Sequence, residues 1–154
     1  MSYLQALRKQ VGSNRIFVPG VRAVIVNKAG EILLQQRTDT GLWGLPGGAV
    51  EPDETVLEAL KREVSEETAL TVIDADPMAL YCGPDQKFTY PNGDKVQVFA
   101  VAFIVKTWAG QPRADSIEGA KVCFFALSKL PGNLVPIHTQ TINDYARYDG
   151  KFIW

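Results

Sequence analysis

Cysteine, histidine and long apolar runs are all scarce in this chain, and each shortage removes a class of function. Cysteine occurs only as Cys82 and Cys123, both in apolar stretches and without Cys-x-x-Cys spacing, so they read as buried free thiols of a reducing cytosol. His138 is the single histidine and has no acidic neighbour in sequence. With no Ser/His/Asp order and no Cys/His pairing, covalent nucleophilic catalysis has little support, and a structural or surface role is expected for His138. The 16 basic residues stand against 17 acidic ones, which leaves no overall basic field to hold a long nucleic acid by its backbone. No apolar segment approaches the roughly 20 residues that span a bilayer, and the first residues lack the apolar core of a signal peptide. A cytoplasmic protein that avoids membranes is the expectation.

What the chain does contain is enough for one core. Its 154 residues, 46% apolar and 21% charged, match an ordinary soluble domain, and residues 1–154 are read as a single domain without internal repeats or low-complexity segments.

The most informative stretch is Gly47 to Leu70, where a glycine pair leads into a helical pattern. Pro52 is tolerated in a first turn, and Asp53 and Glu54 place negative charge at the positive end of the helix dipole, so the helix is expected to start near them. At about 100° per residue, Val56, Leu57, Leu60 and Val64 share an arc, and Glu63, Glu66 and Glu67 fall on an adjoining one. Like charges three and four residues apart cost a few tenths of a kcal/mol each on a bare helix. Glu58, Arg62 and Glu66 can form an ion-pair ladder, but Glu63 and Glu67 have no basic residue three or four positions away. A bound cation would resolve that conflict, and oxygen-only ligands suit a hard divalent ion that shares its remaining sites with phosphates. Gly47 and Gly48 permit close backbone approach, so that a carbonyl could add a ligand or a phosphate could come near. The plainer reading is an acidic, solvated helix face.

This stretch resembles the Nudix box: Gly, five residues, Glu, seven residues, then Arg-Glu-apolar-any-Glu-Glu-any-Gly-apolar. Gly48, Glu54, Arg62, Glu63, Val64, Glu66, Glu67 and Leu70 match in register. Ala69 departs, standing where the family has the glycine that ends the helix; alanine at positive φ there should cost on the order of 1 kcal/mol without touching a carboxylate. The resemblance implies an α/β fold, an α/β/α sandwich with a mixed central sheet. It also implies hydrolysis of a phosphoanhydride bond in a nucleoside diphosphate linked to another group, with Mg2+ or, in its place, Mn2+. On that basis Glu63 and Glu67 are expected as metal ligands, with Glu66 a further ligand or the proton acceptor and a Gly47 carbonyl adding an oxygen. Gly48, Glu54 and Arg62 would hold the loop and helix in shape. Glu118, in a loop six residues ahead of Phe124, is placed as the acidic residue that many members bring to the metal, as ligand or general base. Arg37, at the end of a strand, is a candidate phosphate contact, and Trp43 is expected to pack. A small nucleotide-derived substrate and, since dimers are common in the family, a second copy of the chain are the implied partners. A catalytically weak nucleotide-binding domain is the alternative, against which the complete carboxylate set argues.

The flanking sequence supplies layers. Leu4, Leu7 and Val11 suggest an amphipathic helix over Ser2 to Val11. Pro19-Gly20 divides an edge segment from a strand over Arg22 to Val26, which is expected to form a hairpin with Glu31 to Arg37 through a turn at Asn27 to Gly30. Two strand pieces are expected around Pro77, and Asn92-Gly93 suggests a type I′ hairpin between Lys87 to Tyr90 and Lys95 to Thr107, the latter a central strand. A strand over Lys121 to Leu127 and a helix over Thr139 to Tyr148 close the pattern.

Overall fold

A computed structural model describes residues 1–114 and 119–154. In chain order the elements are α1 (Tyr3–Val11), β1 (Ile16–Ile25), β2 (Glu31–Arg37), β3 (Trp43–Gly44), α2 (Val56–Thr68), β4 (Thr71–Tyr81), β5 (Lys87–Thr89), β6 (Lys95–Ala109), β7 (Gly119–Ala126) and α3 (Pro136–Ala146). Two sheets result. In the first, β6 lies between β1, which it pairs in parallel, and β4, antiparallel, while β5 pairs with Lys95–Gln97 at its start. The second is antiparallel, in the order β3-β2-β7.

Alternation along the central strands makes the sandwich. Val21, Ala23 and Ile25 of β1, Leu33 of β2 and Phe103 and Val105 of β6 pack with Ala59, Leu60 and Val64 of α2. Their neighbours Val24, Ile32, Leu34 and Ala102 pack on the other side with Ile142 of α3 and with Trp43, whose ring meets Phe125 edge-on at 4.9 Å. Strands covered on both faces read as near-continuous apolar runs, and helices then occupy both outer layers. No helix among the described residues is long and apolar enough to cross a membrane.

Several local expectations change. β1 runs through Pro19 without a break, because Val21 and Ala23 N–H groups point to the loop Pro46–Gly48 and not to β6. The donor that Pro19 lacks is therefore missing on an edge, where no sheet bond needs it. The turn at Asn27 to Gly30 forms, but β1 and β2 share only the bridge Val26↔Ile32 and diverge into separate sheets instead of forming a hairpin. β4 also continues across Pro77, absorbing it with a register shift against β6 between Pro77 and Ala79. The β5–β6 connection, residues 90–94, encloses three residues between the bonded Tyr90 and Asp94, with positive φ at Gly93 alone, and is closed by Gly93 N–H to the Tyr90 carbonyl and Tyr90 N–H to the Asp94 carbonyl. Pro91 presets the first turn position, so the loop is a type I turn plus a left-handed glycine and not type I′.

Helix α2 starts later than its acidic lead-in suggests. Thr55 is its N-cap and Glu58 completes a capping box, while Asp53 sits in a turn at φ 67°. Glu58 is thereby drawn away from the ladder with Arg62. Val56 and Leu57 are exposed, and the buried positions are Ala59, Leu60, Val64, Glu67 and Thr68. Periodicity picks out an apolar arc but not how far the sheet extends beneath it. Ala69 closes the helix in the left-handed region at φ 59°. Cys82 and Cys123 are exposed, not buried: Cys82 follows the last residue of β4, and Cys123 sits at an exposed position of β7. At the C-terminus, Ile153 exchanges backbone hydrogen bonds with Met78 and Leu80 on the edge of β4.

Candidate active site

The loop Pro46–Val50 docks on the free edge of β1, with Val21 N–H donating to the Gly48 carbonyl at 2.9 Å and Val50 N–H to the Pro19 carbonyl at 3.0 Å. Gly47 makes this approach possible: a Cβ on it would lie 2.1 Å from the Val21 carbonyl oxygen, and its φ is +144°. A Cβ on Gly48 would lie 2.5 Å from the Glu63 carboxyl carbon. Two glycines thus let a strand edge, a loop and the carboxylates of α2 meet.

Glu67 is 3% exposed and accepts the Gly47 N–H at 2.7 Å. Burial pushes its carboxyl up to about 8, against the opposing effect of hydrogen bonds from Gly47 and the Gln35 side chain; Glu63 raises it further. Arg62 forms a hub beside it. Its Nε and Nη2 donate to Glu54 at 3.1 and 2.6 Å, its Nη1 to Glu63 at 2.7 Å and to Glu66 at 3.3 Å, and its Nη2 also to the Ala49 carbonyl at 3.0 Å. Glu54 in turn accepts the Glu51 N–H at 2.8 Å. Glu63 therefore meets its positive partner at the adjacent position in sequence, which a rule of three- and four-residue spacing overlooks. Glu66 remains largely exposed, with 60% of its side chain accessible.

These groups open on a cleft of about 660 Å³ floored by the β1–β6 face, within the range of small-molecule sites. Glu63, Glu66, Glu67, Gly47, Gly48, Arg62 and Arg37 all line it. Arg37 is held by Asp39 through Nε at 2.9 Å and Nη2 at 2.7 Å, and its guanidinium lies 5.9 Å from the Tyr90 ring centre. Glu118 lies outside the described residues. Among the described residues, no three His, Cys, Asp or Glu side chains converge as a metal cage, since Glu66 turns to Arg62 while Glu63 and Glu67 stay at the glycine pair.

Two further residues of the cleft escape a reading of the sequence. Arg22 is 2% exposed on β1, held by neutral acceptors: Nη1 donates to Thr141 at 2.9 Å and Nη2 to Gln86 at 2.7 Å, with the Tyr81 ring 5.3 Å away. Burial lowers its pKa to about 10. A lone arginine inside an apolar strand was the available signal. His138 accepts the Leu45 N–H on Nδ1 at 3.0 Å, and a Cβ on Gly44 would lie 2.7 Å from the same atom. It is structural in that sense, and it also borders the cleft; burial, then Arg22 and Arg37, hold its pKa well below the usual histidine range.

Residues 16–145 match the family model for the NUDIX domain. The chain is 32% identical over 130 residues to a protein of Bacillus subtilis (strain 168) provisionally named an 8-oxo-dGTP diphosphatase, covering 84% of this chain and 80% of that one. It is 35% identical over 127 residues to an ADP-ribose pyrophosphatase of Methanocaldococcus jannaschii, covering 80% and 70%. Among solved structures, a MutT NUDIX hydrolase from Burkholderia pseudomallei superposes with a TM-score of 0.71 at 29% identity, over 83% of this chain and 97% of that one.

Proposed function

The chain belongs to the Nudix family, and from that premise we propose that it is a pyrophosphohydrolase that uses a divalent cation to cleave a phosphoanhydride bond in a nucleoside diphosphate linked to another group. One observation carries the reading. Glu67 is a buried carboxylate on the cleft wall, beside Glu63, and burial pushes its pKa up to about 8 although hydrogen bonds from Gly47 and Gln35 and the charge of Arg37 act the other way. Glu63 is paired with Arg62 at 2.7 Å, so the buried charge still to be offset is that of Glu67, and an all-oxygen donor set beside it suits a hard ion such as Mg2+ or Mn2+.

The donor set suits such an ion, with Glu63 and Glu67 as the side chains that would hold it and Gly47 supplying a carbonyl. Glu66 would join them by giving up its 3.3 Å contact to Arg62. When bound, the ion would offset diphosphate charge and lower the pKa of an attacking water. The chain itself contributes three things. Arg62 keeps Glu54, Glu63 and the Ala49 carbonyl in one cluster, so loop and helix present a fixed wall. Arg37 keeps Nη1 clear of Asp39, which engages Nε and Nη2, and that donor is assigned to a substrate phosphate. Glu66 or Glu118 takes the proton of the water. We further read residues 1–154 as one domain acting in the cytoplasm on a small substrate.

The two relatives named for different substrates match at similar identity, so the test is a panel that includes 8-oxo-dGTP, ADP-ribose and nucleotide sugars, assayed with Mg2+, with Mn2+ and with EDTA. Chromatography of the products identifies the bond broken. Metal-dependent cleavage of at least one member is expected; no cleavage with either ion overturns the proposal.

A further inference from the structure

Helix α1 lies outside the residues matched by the family model, which begin at position 16, yet it forms one end of the cleft through Leu4, Gln5 and Arg8. It buries no residue of its own, so the core does not explain its placement. Polar straps do. Tyr3 N–H donates to the Glu51 carboxylate at 3.0 Å on the loop side. On the hairpin side Arg8 Nη2 donates to the Lys95 carbonyl at 2.7 Å, and Nε stands 3.6 Å from Asp94. Arg8 Nη1 closes the following turn onto the Gly12 and Asn14 carbonyls at 3.0 and 2.7 Å. The helix thus bridges the two walls of the cleft.

Beneath it the floor is short and apolar. Val18 faces Val98 and Gly20 faces Ala100 in the β1–β6 register, and all four line the cleft together with Leu4. Small and β-branched strand residues make a flat shelf, which ends where Gly20 passes under the Gly48 carbonyl, 3.1 Å from the position of a Cβ on Gly20. The shelf therefore runs from α1 to the carboxylate wall. Arg8 is committed to three carbonyls and Asp94, so it is not spare for a further phosphate. Gln5 gives its Oε1 to the Ser2 N–H at 3.1 Å, which keeps its NH2 for an acceptor on a ligand.

We propose that α1 and the Val18–Val98 shelf form a slot for the nucleobase of the substrate, an uncharged planar group with acceptor atoms on its edge. The inference rests on the proposed function for its orientation: the base lies under α1 and the diphosphate points to Glu63 and Glu67. The metal-free protein, residues 1–154, is titrated with nucleoside 5′-monophosphates, with ribose 5-phosphate, which lacks a base, and with butyl phosphate, using calorimetry and ligand-observed NMR. At least one nucleotide should bind tenfold or more tighter than both other phosphates. Leu4→Trp, which fills the slot, should remove that preference, and Leu4→Ala should weaken it severalfold, whereas Lys9→Ala on the exposed face should preserve it. Thermal melts of each variant confirm folding. Equal or undetectable binding of nucleotide and ribose 5-phosphate overturns the slot, as does a preference that survives Leu4→Trp. Butyl phosphate binding as tightly as the nucleotides overturns the base assignment. Because this titration involves neither metal nor turnover, a failed cleavage panel and a failed slot give separate signatures.

Discussion

Glu67 permits a test that needs no substrate. Its carboxyl is buried and titrates near 8 in the native protein, against 4.5 for the ordinary group. Between those values the native state keeps a proton that the unfolded chain has released, so unfolding free energy falls as pH rises. The contribution is fully present below about pH 4.5, declines through the window and levels off once pH passes about 8. At about 1.4 kcal/mol per pH unit, the window bounds the loss at on the order of 5 kcal/mol. Glu67→Gln retains an oxygen for the Gly47 N–H and carries no charge, so this slope should vanish. Urea unfolding of both proteins in EDTA, stepped from about pH 4.5 to about pH 9, measures the difference directly. The variant should gain on the wild type as pH rises and overtake it near the top of the range. A difference that stays constant with pH refutes the reasoning. Mg2+ at about a hundredfold excess over its Kd at pH 8 should then restore about 2.7 kcal/mol to the wild type and much less to the variant.

Three other outcomes follow from the same geometry. Arg62→Met removes the cation that serves Glu54, Glu63 and Glu66, and denaturant unfolding should show a loss of about 2–3 kcal/mol, with the loop proteolysed faster near Ala49. Ala69→Gly relieves a left-handed alanine at φ 59° and should stabilise by up to about 1 kcal/mol in thermal melts, with cation affinity unchanged. Gly48→Ala and Gly47→Ala should separate. The added Cβ of the first meets the movable end of Glu63 nearest, so cation affinity measured by calorimetry should fall about tenfold with little change in stability. That of the second meets the Val21 backbone and should cost about 2 kcal/mol or more in unfolding.

Much of the machinery was legible because it is local. The spacing from Gly48 to Leu70 places Glu63, Glu66, Glu67 and Arg62 within a few turns of one helix, and helical geometry carries that spacing into space unchanged. The left-handed exit at Ala69 and the apolar central strand β6 follow from equally short-range rules. Errors arose where a neighbour far along the chain decides. Whether Pro19 or Pro77 breaks a strand depends on which edge its missing donor faces, and whether Cys123 is covered depends on what packs over its strand.

By itself, then, the order of residues determined the family, the carboxylate helix and the glycine pair that lets it approach, since each is written in contacts between near neighbours or in a fixed register. Only the folded chain decided that Arg62 neutralises Glu63 while Glu67 stays buried and short of positive charge. It also decided that Arg22 and His138 face the same cleft across more than a hundred residues, and that α1 closes its apolar end. The reason is common to all three: burial and long-range hydrogen bonding depend on which surfaces meet when two sheets and three helices close together, and no spacing within a single element contains that information.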